Sequence, residues 1–138
     1  MVDDVVLNKA ATLERGVARA REEYAKDPES FARDFTRQDA AILNIQRACE
    51  AALDLGQHVI RRDQLGIPQS GKDVFQLLAN RAYIDDALAT SLKKMVGFRN
   101  IAVHDYIALQ LPIVIQIITR HLGDFLRFSQ TLLQRRSG

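Results

Sequence analysis

Ile42-Leu43-Asn44-Ile45-Gln46-Arg47-Ala48-Cys49-Glu50-Ala51-Ala52-Leu53-Asp54-Leu55-Gly56-Gln57-His58-Val59-Ile60 is the stretch on which the fold turns. Ile42, Ile45, Cys49, Ala52, Leu53 and Val59 recur at three- and four-residue steps, the spacing of one helix face. No alternating strand pattern of useful length occurs here or elsewhere in the chain. The periodicity predicts one long helix from about Thr36 to Arg61. Asn44, Arg47, Asp54 and His58 make a second, polar stripe on it. That stripe has two readings: a solvent face that also caps a neighbouring helix, or a polar wall of a site. His58 alone reads as a structural histidine, because no partner stands at metal-ligand spacing.

The neighbouring segments continue the helical theme. Val6, Leu7, Ala10, Leu13 and Val17 predict a first helix from Val2 to about Lys26, stopped by Asp27-Pro28, since proline disfavours a helical residue before it. Phe31 and Phe35 open the next packed segment. Leu65–Gly71 is a loop, and Ser70 followed by Asp73 resembles a capping box. A third helix carries Val74, Phe75, Leu77, Leu78 and, at its end, Tyr83. Asp85 or Asp86 caps a fourth, which runs through Leu88, Leu92, Met95 and Phe98 toward Ile101 and Ala102. Pro112 fits the first turn of a final helix, where its missing N–H costs nothing. That last helix is apolar enough to suggest a dimer face, and its His121 reads as structural. Arg135-Arg136-Ser137-Gly138 reads as a frayed tail. The expectation is an all-α bundle of four to five helices, one domain over residues 1–138.

Composition narrows the function classes. The 138 residues carry a net charge of +2, too little to mark a nucleic-acid binder. The charge is uneven: residues 91–138 hold seven Lys/Arg against two Asp/Glu, and residues 1–90 hold twelve against fifteen. A basic excess near a site concentrates an anionic substrate; the plainer reading is charge spread over separate solvated faces. Cys49 is the one cysteine, which excludes an internal disulfide and a cysteine-based zinc site. Neither a metal nor a cofactor is called for. The acidic start, Met1-Val2-Asp3-Asp4, lacks the pattern of a signal peptide, and Ile113–Ile118 is too short to span a bilayer. The expected location is the cytoplasm, with no membrane partner.

The chemistry-bearing residues gather in Gly97-Phe98-Arg99-Asn100-Ile101-Ala102-Val103-His104-Asp105-Tyr106. Arg99 offers five donors in a planar fork that suits phosphate oxygens. His104 exchanges a proton near neutral pH. Tyr106 adds a phenol. On an ideal helix Arg99 and His104 lie about 140° apart. They meet over one group only if the helix ends near Val103, or if a symmetric dimer brings two motifs together.

Arg99-Asn100-x-x-x-His104 resembles the Arg-x(4–6)-His signature of HEPN-domain ribonucleases. Its extension to Tyr106 resembles the HepT toxins of HepT/MNT toxin–antitoxin systems, classed as type VII. The approach Lys94-Met95-Val96-Gly97-Phe98 fits as well, as do Asn44–Ala48 and Asp54–His58 of the second helix. The resemblance covers about residues 40–110. It implies a homodimeric HEPN-type bundle that cleaves tRNA or mRNA without metal. Arg99 and His104 are then the catalytic pair, with Asn100 and Asp54 supporting. It also implies silencing by a cognate minimal nucleotidyltransferase (MntA-like) antitoxin, which transfers AMP to Tyr106. Two other readings compete. One is a non-catalytic HEPN module that binds a nucleotide or a nucleotidyltransferase. The other is a helical adaptor in which Arg99 pairs with Asp54 and His104 caps a helix.

Overall fold

Asp3 starts the first helix, α1 (Asp4–Ala25): its carboxylate accepts hydrogen bonds from the N–H groups of Val5 and Val6. Such a cap satisfies amide donors that have no partner within the helix. The computed structural model describes residues 3–135. Val2, where the first helix was expected to begin, and residues 136–138 of the expected tail lie outside them. A short 3₁₀ turn, Phe31–Arg33, buries Phe31 completely. Asp34 then caps α2 (Phe35–Asp63) by accepting from the N–H of Arg37. Phe35 faces outward, 75% exposed, so only Phe31 fills the packing role expected of both.

Three contacts fix the antiparallel pairing of α1 and α2. Asp3 meets His58, Lys9 meets Asp54, and Gly16 lies against Asn44 and Ala48. A Cβ on Gly16 would stand 2.9 Å from the backbone oxygen of Asn44. Any larger residue would therefore hold the two backbones apart. Leu13, Val17, Ile45, Leu55 and Ile60 are buried, as the periodicity of both helices requires.

Gln64 ends α2 in the left-handed conformation (φ 56°). Ser70 caps α3 (Gly71–Asn80) through the N–H of Asp73, while Asp73 reaches back to the N–H of Gln69. The reciprocal arrangement expected from Ser70 and Asp73 thus forms, with the carboxylate reaching the N–H one residue before the cap. Tyr83 lies beyond α3. Its hydroxyl donates to Asp63 at 2.7 Å, and the Arg135 guanidinium stacks 3.5 Å over its ring. Asp85 caps α4 (Asp86–His104) through the N–H of Leu88. Pro112 sits in the first turn of α5 (Leu111–Gln116). A π-helical segment, Ile117–His121, joins α5 to α6 (Leu122–Gln134). The single final helix expected from the sequence is thus one rod with an irregular middle.

The described residues share one hydrophobic core. Phe75 of α3 meets Phe128 of α6 edge to face, 5.3 Å between ring centres, with Phe128 close to Gly56 of α2. None of the described helices is long and apolar enough to cross a membrane.

Candidate functional site

Helix α4 runs unbroken through His104, and the N–H of Asp105 still bonds the carbonyl of Ile101 at 2.8 Å. The early helix end that would let His104 turn back toward Arg99 does not occur. The roughly 140° divergence of the ideal helix therefore applies within one chain.

Arg99 points toward α2. Its Nε and Nη2 donate to one oxygen of Glu50, at 3.2 and 2.9 Å. Its Nη1 donates to the side-chain oxygen of Asn100 at 3.2 Å. Three of the five N–H groups are engaged, and the end of the fork keeps two for a ligand. Asn100 thus contacts Arg99, whereas the resemblance had it orienting His104 or a phosphate oxygen. Asp54 was expected as a supporting residue, and only the adaptor reading paired it with Arg99. It instead pairs with Lys9 of α1 at 3.1 Å, and Glu50, one turn earlier on α2, takes the arginine. His58 bonds Asp3 at 2.7 Å. Asp54 and His58 therefore brace α1 and its cap, while Asn44 bonds the Ala40 carbonyl of its own helix.

His104 is exposed and has no hydrogen-bond partner among the described residues. Seven residues separate it from Gly97, nearly two full turns, so it continues the row formed by Lys94, Gly97 and Ile101. Lys94, Gly97 and Ile101 line one wall of a groove of about 640 Å³ whose other wall is built by Ile113 and Ile117, and His104 lies beyond its end. Gly97 opens the groove: a Cβ there would meet nothing within 4 Å.

Tyr106 opens a 3₁₀ turn, Tyr106–Ala108, beyond α4. Its hydroxyl donates to the carboxylate of Asp39 on α2. The ring borders a cavity of about 210 Å³ with Phe35, Ile42, Leu111 and Val114. Burial first, then the hydrogen bond and charge of Asp39, push the phenol up to about 12. Both effects favour the neutral hydroxyl over a phenolate.

The basic excess of the C-terminal third is dispersed. Arg127 pairs with Asp124 at 2.6 Å and Arg135 covers Tyr83, while only Lys93, Lys94 and Arg99 ride on α4. Cys49 is buried, and burial pushes its thiol up to about 12, which leaves it inert. The described residues contain no cluster of His, Cys, Asp and Glu suited to a metal ion. Glu50 and Asp39 are the functional neighbours that sequence reading passes over. Each is a single carboxylate whose partner lies 49 or 67 residues away.

A family model described as "Ribonuclease HepT-like" matches residues 13–132. The chain belongs to the HepT-like ribonuclease family. A curated relative, "mRNA nuclease HepT" of Shewanella oneidensis, is 50% identical to this HepT-like chain over 127 residues. The match covers 92% of the chain and 95% of the relative. Among solved structures, the tri-AMPylated Shewanella oneidensis HEPN toxin in complex with MNT antitoxin superposes with a TM-score of 0.90 at 48% identity. That match covers 95% of this chain and 98% of the other. A toxin–antitoxin crystal structure with AMP-PNP gives the same TM-score and identity, over 94% and 98%. The HEPN-type all-helical fold is therefore established, and Arg99, His104 and Tyr106 lie within the matched region.

Proposed function

We propose that this HepT-like chain is the ribonuclease toxin of a toxin–antitoxin pair, acting on mRNA or tRNA as one domain. The observation that carries the reading is the state of Arg99. Glu50 and Asn100 hold its fork in one orientation while the two-donor end stays open, five positions before an exposed His104 on the same helix. A pre-oriented guanidinium suits a phosphodiester better than a mobile one, because the ordering cost is met before substrate binds.

RNA carries its own nucleophile. The 2′-hydroxyl attacks the adjacent phosphorus, the P–O5′ bond breaks, and His104 accepts the first proton or delivers one to the leaving oxygen. Arg99 neutralises the charge that grows on the phosphoryl oxygens. The products are a 2′,3′-cyclic phosphate and a 5′-hydroxyl end. Metal is not required by this chemistry.

Arg99 and His104 diverge around α4, so a second copy supplies the missing partner: Arg99 of one protomer serves His104 of the other. Apolar residues left open beside the motif support a homodimer. Ile101 and Val103 are each 42% exposed, and Ile107 is 96% exposed. A cognate minimal nucleotidyltransferase silences the toxin by transferring AMP to Tyr106, which is 44% exposed and within reach of such an enzyme. The toxin acts in the cytoplasm, where its RNA substrates are.

Purified protein incubated with tRNA and mRNA in EDTA tests the reading. The expected result is cleavage to cyclic-phosphate ends, with His104→Ala slower by about 100-fold or more. Equal cleavage by wild type and His104→Ala, or none by unmodified wild type, refutes it.

A further inference from the structure

We propose that Asp39 is the toxin's own catalytic residue for its silencing: it takes the phenolic proton of Tyr106 as AMP is transferred. The inference rests on Tyr106 being the acceptor, the reading given above.

The geometry makes the assignment. The Tyr106 hydroxyl already donates to a carboxylate oxygen of Asp39, from a different element and 67 residues away in sequence. The oxygen that must attack is thus held on the group best placed to receive its proton. Asp39 is itself exposed, so a proton it accepts passes on to water. Tyr106 is about half open, and its ring lines a small cavity with Phe35, Ile42, Leu111 and Val114.

The local electrostatics demand such a group. A phenol pushed up to about 12 is almost wholly protonated at neutral pH. A preformed phenolate is therefore a rare species. Removal of the proton by Asp39 as the new bond forms, which is general-base catalysis, avoids the need for one.

The step balances as follows. The lone pair of the Tyr106 oxygen forms a bond to the α-phosphorus of ATP. The bond from that phosphorus to the bridging oxygen breaks, and pyrophosphate leaves with the electron pair. The hydroxyl proton moves to Asp39 and then to solvent, which regenerates the carboxylate. The new ester oxygen has no proton to donate, and the phosphodiester brings a negative charge next to Asp39. The modified ring cannot keep its place on α2, so the carboxylate is cleared as the product forms.

The test follows AMP transfer by intact-mass spectrometry, with a cognate minimal nucleotidyltransferase, ATP and Mg²⁺. Wild type, Asp39→Asn, Asp39→Glu and Tyr106→Phe are compared, with thermal melts to confirm folding. Wild type gains AMP and Tyr106→Phe does not. Asparagine preserves the acceptor oxygen but not the base. Asp39→Asn is therefore expected to lower kcat for transfer by about 100-fold with KM for the toxin unchanged, and Asp39→Glu to recover part of it. Transfer to Asp39→Asn at the wild-type rate or faster overturns the role of Asp39 and leaves Tyr106 as the acceptor. AMP gained equally by Tyr106→Phe overturns both.

Discussion

Replacing Glu50 by alanine separates two roles that a carboxylate can play beside Arg99. Glu50 holds two of the arginine's N–H groups, so its loss frees a long side chain to sample several rotamers. Glu50 is also an anion near the place where a phosphate must bind. A guanidinium bridge sets that separation at about 7 Å. The repulsion is then about 0.6 kcal/mol in water-like surroundings and about 2.4 kcal/mol at an effective dielectric of about 20. Both side chains are partly open, 28% for Arg99 and 37% for Glu50, so the lower figure applies. Removing the charge should thus tighten RNA binding by about threefold. Losing the orientation should slow the chemical step by about tenfold, since Arg99 remains present but is no longer aimed. The predicted signature is a fall in kcat with KM equal or lower. Stability changes little, because a half-exposed pair contributes about 0.2–1 kcal/mol. Steady-state cleavage of a fluorogenic RNA measures the split. An unchanged kcat for Glu50→Ala, or a rise in KM, refutes the idea that Glu50 aims Arg99.

Other consequences can be measured separately. The phenol of Tyr106 should ionise near 12 rather than near 10, so the absorbance titration of wild type minus Tyr106→Phe should show a late step. Because its folded-state value is raised, the stability it contributes is whole below about 10 and is lost as pH rises toward 12. Asp3 shows the opposite sign. The hydrogen bond from His58 is the main cause that holds its carboxyl at about 2. The stability it adds is present above about 4 and is lost as pH falls toward 2, so Asp3→Asn should flatten the urea midpoint between those values. Gly16→Ala should destabilise by about 1–3 kcal/mol in thermal or urea unfolding, because its methyl group meets the Asn44 carbonyl at 2.9 Å.

Much of the fold is written in periodicity. The stripe from Ile42 to Ile60 is buried as read except at the half-buried Leu53, and Ser70, Asp85 and Pro112 stand at helix starts. What periodicity reports is which face a residue occupies, not which neighbour it meets. Glu50 and Asp54 share a face of α2 about one turn apart, about 6 Å, and only the packing of α4 and α1 decides that the first takes Arg99 and the second Lys9. Asp39 is invisible for the same reason, since its partner lies in a turn on the far side of the sequence. The π segment escapes notice because Ile113, Ile117 and Leu122 keep an apolar face through it. Phe35 misleads because aromatic residues signal a core, yet this one lies at the rim of an open cavity.

Helix α2 also sets a distance that bears on silencing. It anchors Arg99 through Glu50 and Tyr106 through Asp39, eleven residues apart, or about 16 Å along the axis. At that spacing a first phosphodiester on Tyr106 should fall short of the Arg99 fork of the same chain. It should act by displacing the turn that carries Tyr106, whereas any further nucleotide should lengthen an anionic arm toward the guanidinium. Inhibition should then deepen with the number of AMP units. One unit should leave measurable RNA cleavage, and three should leave least. Species carrying one, two and three units, separated by ion exchange and assayed on the same RNA, provide the comparison. Complete loss of cleavage at the first unit, with no change thereafter, would show that displacement of the turn suffices and that the distance along α2 is irrelevant.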